Sequence, residues 1–480
     1  MIFNSLEFAI FLPVVFLLFW FVFSKNTRIQ NIFIIVASYV FYGWWDWRFA
    51  ILLAFITVCN YLSGIGIKRY PDKRLAILLS NVVINLGVLF YFKYFNFFVG
   101  SFVDAFSLLG KHLEISTLKI ILPVGISFYT FQALGYSLDV YRKKIEPIND
   151  IISFFAYVSF FPQLAAGPIG RATALLPQFS QKRQFDYSLA VDGMGQILWG
   201  LFKKVVIADN CALCANYIFD KYDYLPGSTL AIGAVFYTIQ IYCDFSGYSE
   251  IAIGTGQLFG IKLMQNFKYP YFSRDVAEFW RHWHISLTTW FRDYIYIPLG
   301  GSRVSKTKVV RNTFIIFLVS GFWHGANWTF ITWGAYHALL FLPLILLGKN
   351  RKYTNTVAEG KLFPNFKEIF QMGITFGLVA MGWIFFRANS ISEAFVCIGR
   401  IFSRTIISFP VGTGVNLIGN FILFLIPFMF AFEWLQRSEM HALRLTKVRS
   451  KVVRWSIYFF IIWLIFNYGG VQAPFIYFQF

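Results

Sequence analysis

Cysteine and acidic residues are both scarce in this chain. Five cysteines in 480 residues, Cys59, Cys211, Cys214, Cys243 and Cys397, are too few and too scattered for a disulfide framework. Cys211 and Cys214 have CxxC spacing, but no second pair accompanies them, so buried, inert thiols are expected. Asp and Glu number 23 against 42 Lys and Arg, and charged residues make up only 14% of the chain. With 58% hydrophobic and 21% aromatic content, that shortage of charge excludes an ordinary soluble enzyme and describes an integral membrane protein. No GxSxG elbow is present, which leaves an internal serine-hydrolase mechanism unsupported. No further His or Cys completes a ligand set around His284 and His324, so no metal is expected.

What is there is hydrocarbon. Apolar runs long enough to span recur at 7–24, 30–66 (two helices around Trp44 to Arg48), 76–97, 119–140, 190–208, 228–250, 370–386, 412–433 and 455–469. With shorter runs at 151–166 and 312–347, roughly ten to thirteen membrane helices follow at about twenty apolar residues per span. The first run carries Glu7 with no basic residue ahead of it and no small-x-small site, so it is expected to persist as a helix rather than as a cleaved leader. The whole chain, 1–480, reads as one all-α polytopic membrane domain.

The net charge of +19 is distributed between apolar segments, which excludes a nucleic-acid footprint and marks topology instead. Lys25 and Arg28, then Lys68, Arg69, Lys73 and Arg74, then Arg142, Lys143 and Lys144, and finally Arg437, Arg444, Lys447, Arg449, Lys451 and Arg454 fall on the cytoplasmic side. Both termini are then external, in a bacterial plasma membrane. Two segments break alternation, because each has basic residues at both ends: 151–166, and 312–347 between Arg311 and Lys349. Each is expected to enter and leave on the cytoplasmic side, as a re-entrant loop or a helical hairpin.

In the second hairpin, "SGFWHGANW" forms the apex. Twelve steps from Asn312 at about 1.5 Å each lift His324 roughly 18 Å into a core about 30 Å thick. A hydrogen-bonded core histidine is the commoner fate of a single imidazole, yet an ionisable group at that depth normally faces a cavity or a substrate path. Trp323, Trp328 and Asn327 are its candidate polar partners.

The most polar stretch lies at 262–311, with nine Lys or Arg against Asp275, Glu278 and Asp293. It reads as an interfacial segment on or dipping into the cytoplasmic side, its tryptophans anchoring it. A continuous helix over 276–293 would put Arg281, His284 and Thr288 on one face and turn His282 away. Asp244 and Glu250 follow an apolar helix, where a substrate path, a helix cap or pairing with an Arg are all open. Gln132 and Asp139 in another apolar helix suit helix–helix hydrogen bonding.

Five stretches in register, "FFPQLAAGPIGR", "YTFQALGYSLDVYR", "DVAEFWRHWHISLTTWFRDYIYIPLGGSR", "GFWHGANWTFITWGAYH" and "PFIYFQF", resemble the membrane-bound O-acyltransferases, in their bacterial alginate O-acetyltransferase branch. The likeness covers nearly the whole chain. It implies a ring of helices around a central tunnel joining a cytoplasmic acyl donor to an external acceptor. It also implies that His324 is the catalytic histidine and His284 its companion, with His282 at a position where relatives often carry arginine or another polar residue. Acetyl transfer from a thioester to a hydroxyl needs a base, and histidine, at about 6.5 unperturbed, suits that task. His324 is expected as base and His284 as polariser, supported by Asn327, Trp323, Asp244 and Arg281. Lys268, Arg274, Arg292 and Arg303 are candidates for the phosphates of the donor, acetyl-CoA or another acyl thioester, with no tightly bound cofactor. The expected partners are the lipid bilayer, an exported polysaccharide acceptor and a separate periplasmic or surface acetyltransferase. The rival reading is a transporter or flippase with an intramembrane histidine proton relay, which a matched pair of broken helices would favour. No such duplication is evident.

Overall fold

A computed structural model describes residues 1–109, 118, 120–446 and 448–478. Lys447 of the basic cluster, Lys119 at the start of one apolar run and the last two residues of the "PFIYFQF" stretch lie outside the described residues. Among the described residues every regular element is helical. Four helical stretches, Trp47–Arg69, Pro71–Ser107, Trp328–Leu346 and Phe366–Arg387, are long and apolar enough to cross a membrane, and Leu6–Val22 and Ile422–Leu435 are shorter apolar ones. The chain groups into two compact units, Met1–Asp186 with Phe259–Leu263 and Gly325–Asn327, and Tyr187–Leu258 with Met264–His324 and Trp328–Phe480.

The first unit holds α1 (Leu6–Leu17), α2 (Thr27–Gly43), α3 (Trp47–Arg69), α4 (Arg74–Leu89), α5 (Phe95–Leu108), α6 (Ile126–Tyr141), α7 (Ile151–Ser159), α8 (Phe161–Leu164) and α9 (Ala172–Ser180). Side-chain caps start several of them: Asn26 accepts from the backbone of Arg28 and Ile29, and Asp150 from Ile152 and Ser153. Asn60 of α3, Asn81 of α4 and Ser137 of α6 share a buried network, with Asn81 donating to Asn60 at 2.7 Å and Ser137 donating to Asn60 at 2.9 Å. Gln132 joins α6 to α7 by donating to the Tyr157 carbonyl at 2.7 Å. These bonds replace the hydrophobic force that lipid does not supply between helices. Asp139 instead faces Lys144 at 3.6 Å. At nine and four residues, α7 and α8 are too short to cross a core about 30 Å thick, so 151–166 is not a simple span.

The second unit holds α10 (Tyr187–Leu201), α11 (Asp209–Phe219), α12 (Gly227–Leu258), α13 (Val276–His282), α14 (Ile285–Phe291), α15 (Lys306–His324), α16 (Trp328–Leu346), α17 (Phe366–Arg387), α18 (Ile391–Ile401), α19 (Ile422–Leu435) and α20 (Lys451–Tyr468). A π-helical stretch, Phe202–Ala208, joins α10 to α11. Reciprocal glycines seat α10 on α12: a Cβ on Gly193 would lie 2.7 Å from the Gly254 carbonyl, and one on Gly200 would lie 2.6 Å from that of Gly247. Glycines also seat α15 on α16, where a Cβ on Gly321 would meet the Phe330 carbonyl at 2.2 Å and one on Gly334 that of Phe317 at 2.3 Å. Those two contacts run in opposite directions along the chain, so α15 and α16 form an antiparallel hairpin. It begins at Lys306, six residues before the apolar run, and its first helix ends on His324.

Candidate active site

His324 is delivered by the last turn of α15, and His284 by a break in the interfacial segment. The continuous helix expected over 276–293 does not form. Helix α13 ends at His282, Trp283 is extended, and His284 takes a left-handed backbone (φ 42°, ψ 54°) before α14 begins. Such a conformation costs about 1–2 kcal/mol for a residue with a Cβ, so its surroundings must impose it. Asn266, fully buried, imposes it: its carbonyl accepts from the Ile285 N–H at 2.9 Å, its side-chain oxygen accepts from Ser286 Oγ at 2.6 Å, and its amide donates to Ser249 at 3.0 Å. The Lys268 N–H donates to the His282 carbonyl at 3.0 Å and closes the other side of the break. The break turns His284 inward, while Arg281 goes elsewhere, donating to the carbonyls of Asn350 and Tyr353. The shared Arg281–His284–Thr288 face is therefore corrected. It presumed one helix where a kink stands.

The two imidazoles, 1% and 3% exposed, have ring centres 6.4 Å apart. That is too wide for a direct bond between them, which needs donor and acceptor within about 3 Å. Trp323 lies 5.0 Å and Trp333 5.1 Å from His324, Phe386 closes in at 5.3 Å, and Phe245 packs on His284 at 4.7 Å. Burial pushes His284, outside the spanning helices, down to about 3, so this imidazole is neutral at physiological pH. A third histidine, His337, is packed between Trp280 and Trp333 and against Gly382, whose Cβ would come within 2.7 Å of Nε2.

Tyr477 also touches both histidines, its ring 5.5 Å from His324 and 6.1 Å from His284. It reaches them because the tail after α20 is latched to α12 and the π-helical stretch. Asp244 accepts from the Ile476 N–H at 2.7 Å, and Lys204 donates to the Ala473 carbonyl at 3.1 Å while facing Asp209 and Asp244, each at 2.8 Å. Asp244 thus lies within a 32-residue helix and pairs with a lysine, neither capping a helix nor meeting an Arg. One residue earlier, Lys203 faces Glu250 at 3.0 Å and Glu433 at 3.2 Å, and Tyr242 donates to Glu433 at 2.9 Å. Neither the tail's contact with the histidines nor the pairing of either lysine is legible beforehand: the signals are the family-like stretch "PFIYFQF" and a pair of cations inside the apolar run 190–208.

Of the remaining candidates, Asn327 is half-buried in the connection Gly325–Asn327, and Trp328 is exposed. Arg292 pairs with its neighbour Asp293 at 2.7 Å, and Arg303 is exposed. Arg274 is buried and clasps Glu278 at 2.7 Å, and it also donates to the Asn355 carbonyl at 2.7 Å. Burial opposes its charge, but Glu278 overcomes this and holds the guanidinium above its ordinary value. Lys268 is exposed.

A model of the membrane-bound O-acyltransferase family matches residues 143–386, which include both histidines. The chain is 41% identical over 409 residues to a probable alginate O-acetylase of Pseudomonas aeruginosa, covering 84% of this chain and 75% of that protein. It is 38% identical over 427 residues to a peptidoglycan O-acetyltransferase of Helicobacter pylori, covering 82% and 78%. It is 29% identical over 281 residues to a teichoic acid D-alanyltransferase of Bacillus subtilis, covering 55% and 68%.

Proposed function

This chain belongs to the membrane-bound O-acyltransferase family, and on that premise we propose that it moves an acetyl group from a cytoplasmic thioester donor onto hydroxyls of an exported or cell-surface polysaccharide. The acceptor class follows from the relatives, whose names give alginate and peptidoglycan as their targets. The observation that carries the chemistry is the pair of buried imidazoles 6.4 Å apart in a wall of aromatic rings.

The acceptor oxygen attacks the thioester carbonyl carbon, and its proton passes to His324. Collapse of the tetrahedral intermediate breaks the C–S bond, and the same proton goes to the departing sulfur, leaving an ester and a free thiol. Burial favours the neutral form of His284. A neutral imidazole still donates one N–H, and that suits it to polarise the carbonyl and hold the developing oxyanion, as donors fixed before reaction do best. Asn327 is the further oxyanion candidate. Asp244 and Lys204 hold the tail that brings Tyr477 to the pair, and Arg281 fixes the loop beside the interfacial segment. The family likeness supports a ring of about ten to thirteen helices around a central tunnel, in a bacterial inner membrane with both termini external. It also supports a separate periplasmic or surface acetyltransferase as partner.

Purified protein incubated with radiolabelled acetyl-CoA or an acetylated carrier protein, together with an oligosaccharide acceptor, tests the reading. Thiol release coupled to labelled ester is the expected result. Donor or glycan crossing the membrane of proteoliposomes with no ester formed would establish a transporter instead.

A further inference from the structure

Lys203 and Lys204 are adjacent in the π-helical stretch and face different pairs of carboxylates. Around Lys203 the charges do not balance. One ammonium, 1% exposed, stands against two carboxylates, Glu433 of α19 at 0% and Glu250 of α12 at 12%, and no second cation pairs with either among the described residues. With both ionised, the fold would bury a negative charge that nothing offsets, which is far costlier than leaving it in water. Two carboxylates that share one site usually resolve this by giving one of them a proton.

The hydrogen bonds show which of the two is better provided for. Glu433 accepts from the Tyr242 hydroxyl on both oxygens, at 2.9 Å each, and from Lys203 at 3.2 Å, and bonds of this kind favour a carboxylate's ionised form. Glu250 accepts from Lys203 alone, through Oε1 at 3.0 Å, and its Oε2 is buried with no hydrogen-bond partner among the described residues. A second unpartnered group looks onto the same site. The hydroxyl of Tyr269, a residue 7% exposed, also lacks a hydrogen-bond partner among the described residues. Burial first, and then the fields of Glu433 and Glu250, keep its proton on. It therefore stands towards the two carboxylates as a neutral hydroxyl, which can accept one O–H and donate another.

We infer that Glu250 holds a proton in the folded protein, so that the Lys203 site is an electrically balanced, proton-filled brace between α12, α19 and the π-helical stretch. The groups that face Glu250 are Lys203 from the π-helical stretch, Glu433 from α19, Tyr242 and Cys243 from its own helix, and Tyr269 from the interfacial segment. Lys203 is the one cation among them. Helix α12 also carries Phe245, which packs on His284, and Asp244, which receives the tail, so the brace steadies the helix that serves both. Its proton makes it sensitive to pH. An unfolded glutamate keeps its proton only below about 4.3. Between that value and the pH at which the folded site releases it, the folded chain holds one proton more than the unfolded chain, so this site's share of the stability falls as the pH rises.

Melting of full-length protein in detergent, from about pH 5 to about pH 9, tests the site in wild type, Glu250→Gln and Lys203→Met. An amide in place of a protonated carboxyl keeps an oxygen for Lys203 and a donor at the other position. Glu250→Gln should therefore fold, melt within about 2 °C of wild type near neutrality, and be the more stable of the two at the alkaline end. Lys203→Met leaves Glu433 without its cation and should melt about 5 °C or more below wild type. Infrared spectra give the second readout: the wild type at neutral pH should show a protonated-carboxyl carbonyl band, shifted by deuterium exchange, that is absent from Glu250→Gln. Glu250→Gln melting as far below wild type as Lys203→Met, or failing to fold, would show that Glu250 is ionised and overturn the site. Identical carboxyl bands in wild type and Glu250→Gln would overturn it too, and a wild-type melt in Lys203→Met would show that there is no brace.

Discussion

Two regions of the second unit keep polar groups away from water by opposite means. Around His324 and His284 the groups are imidazoles enclosed by rings, and His284 is held neutral by burial. Around Lys203 and Lys204 the groups are lysines and carboxylates, and each lysine faces two carboxylates. Removing charges from water costs several kcal/mol per ion and is repaid only by close, complete pairing, so the lysine cluster is committed to its partners and acts as a clamp. A buried imidazole in its neutral form needs no counter-ion, and it keeps one nitrogen that donates and one that accepts. The comparison separates what holds the tail in place from what reacts beside it.

Changes at the clamp should have the largest effect on stability. Lys204→Met leaves Asp209 and Asp244 facing each other without their cation and releases the Ala473 carbonyl. We expect a loss of about 3–5 kcal/mol, visible as a lowered melting temperature in detergent, with partial recovery in Lys204→Arg. A wild-type melt would mean that the cluster is not a clamp. Gly321→Ala should come next, because its new Cβ would lie 2.2 Å from the Phe330 carbonyl and force α15 from α16, at about 1–3 kcal/mol and with lower activity, since His324 is three residues away. An unchanged melt would contradict the hairpin packing.

At the histidines the effect should shift from stability to rate. His284→Gln is expected to lose about 10²-fold or more in kcat with a much smaller change in melting than Lys204→Met. The pH dependence sharpens this. With its folded value near 3 against an ordinary 6.5, His284 is neutral in both states above pH 6.5; below it the unfolded chain takes up a proton that the folded chain refuses. Stability should therefore fall as the pH drops from 6.5 towards 3, and His284→Gln should reduce that fall. An identical pH dependence in wild type and variant would show that His284 is solvated. The smallest effect belongs to the cysteines: a variant with all five replaced should keep activity near wild type. In that background, cysteines at Ser305 and Lys352 should be labelled by an impermeant reagent from the same side only. Labelling from opposite sides would show that α15 and α16 do not return to the face they left.

The apolar runs made most helices legible, and basic residues at both ends of 312–347 identified the hairpin, because hydrophobic length and flanking charge are local properties. The break at His284 is not local: it depends on Asn266, eighteen residues earlier in the chain, and helical spacing says nothing of such a partner. His284 was nevertheless legible as an inward residue, through its motif rather than through the helix face invoked for it. The latch was illegible for the same reason, since Lys204 meets Asp244 and Ala473, 40 and 269 residues away. Tyr477 lies in a stretch whose likeness to the family was plain, but its contact with the histidines depends on that latch.

The central claim is that a buried histidine pair carries out acyl transfer, and His324→Ala tests it most directly. Turnover of labelled acetyl thioester into ester should be measured for wild type and variant alongside their melting curves. The account predicts a loss of about 10²–10⁴-fold or more in the variant, with a cooperative melt retained. Wild-type turnover by His324→Ala would contradict it.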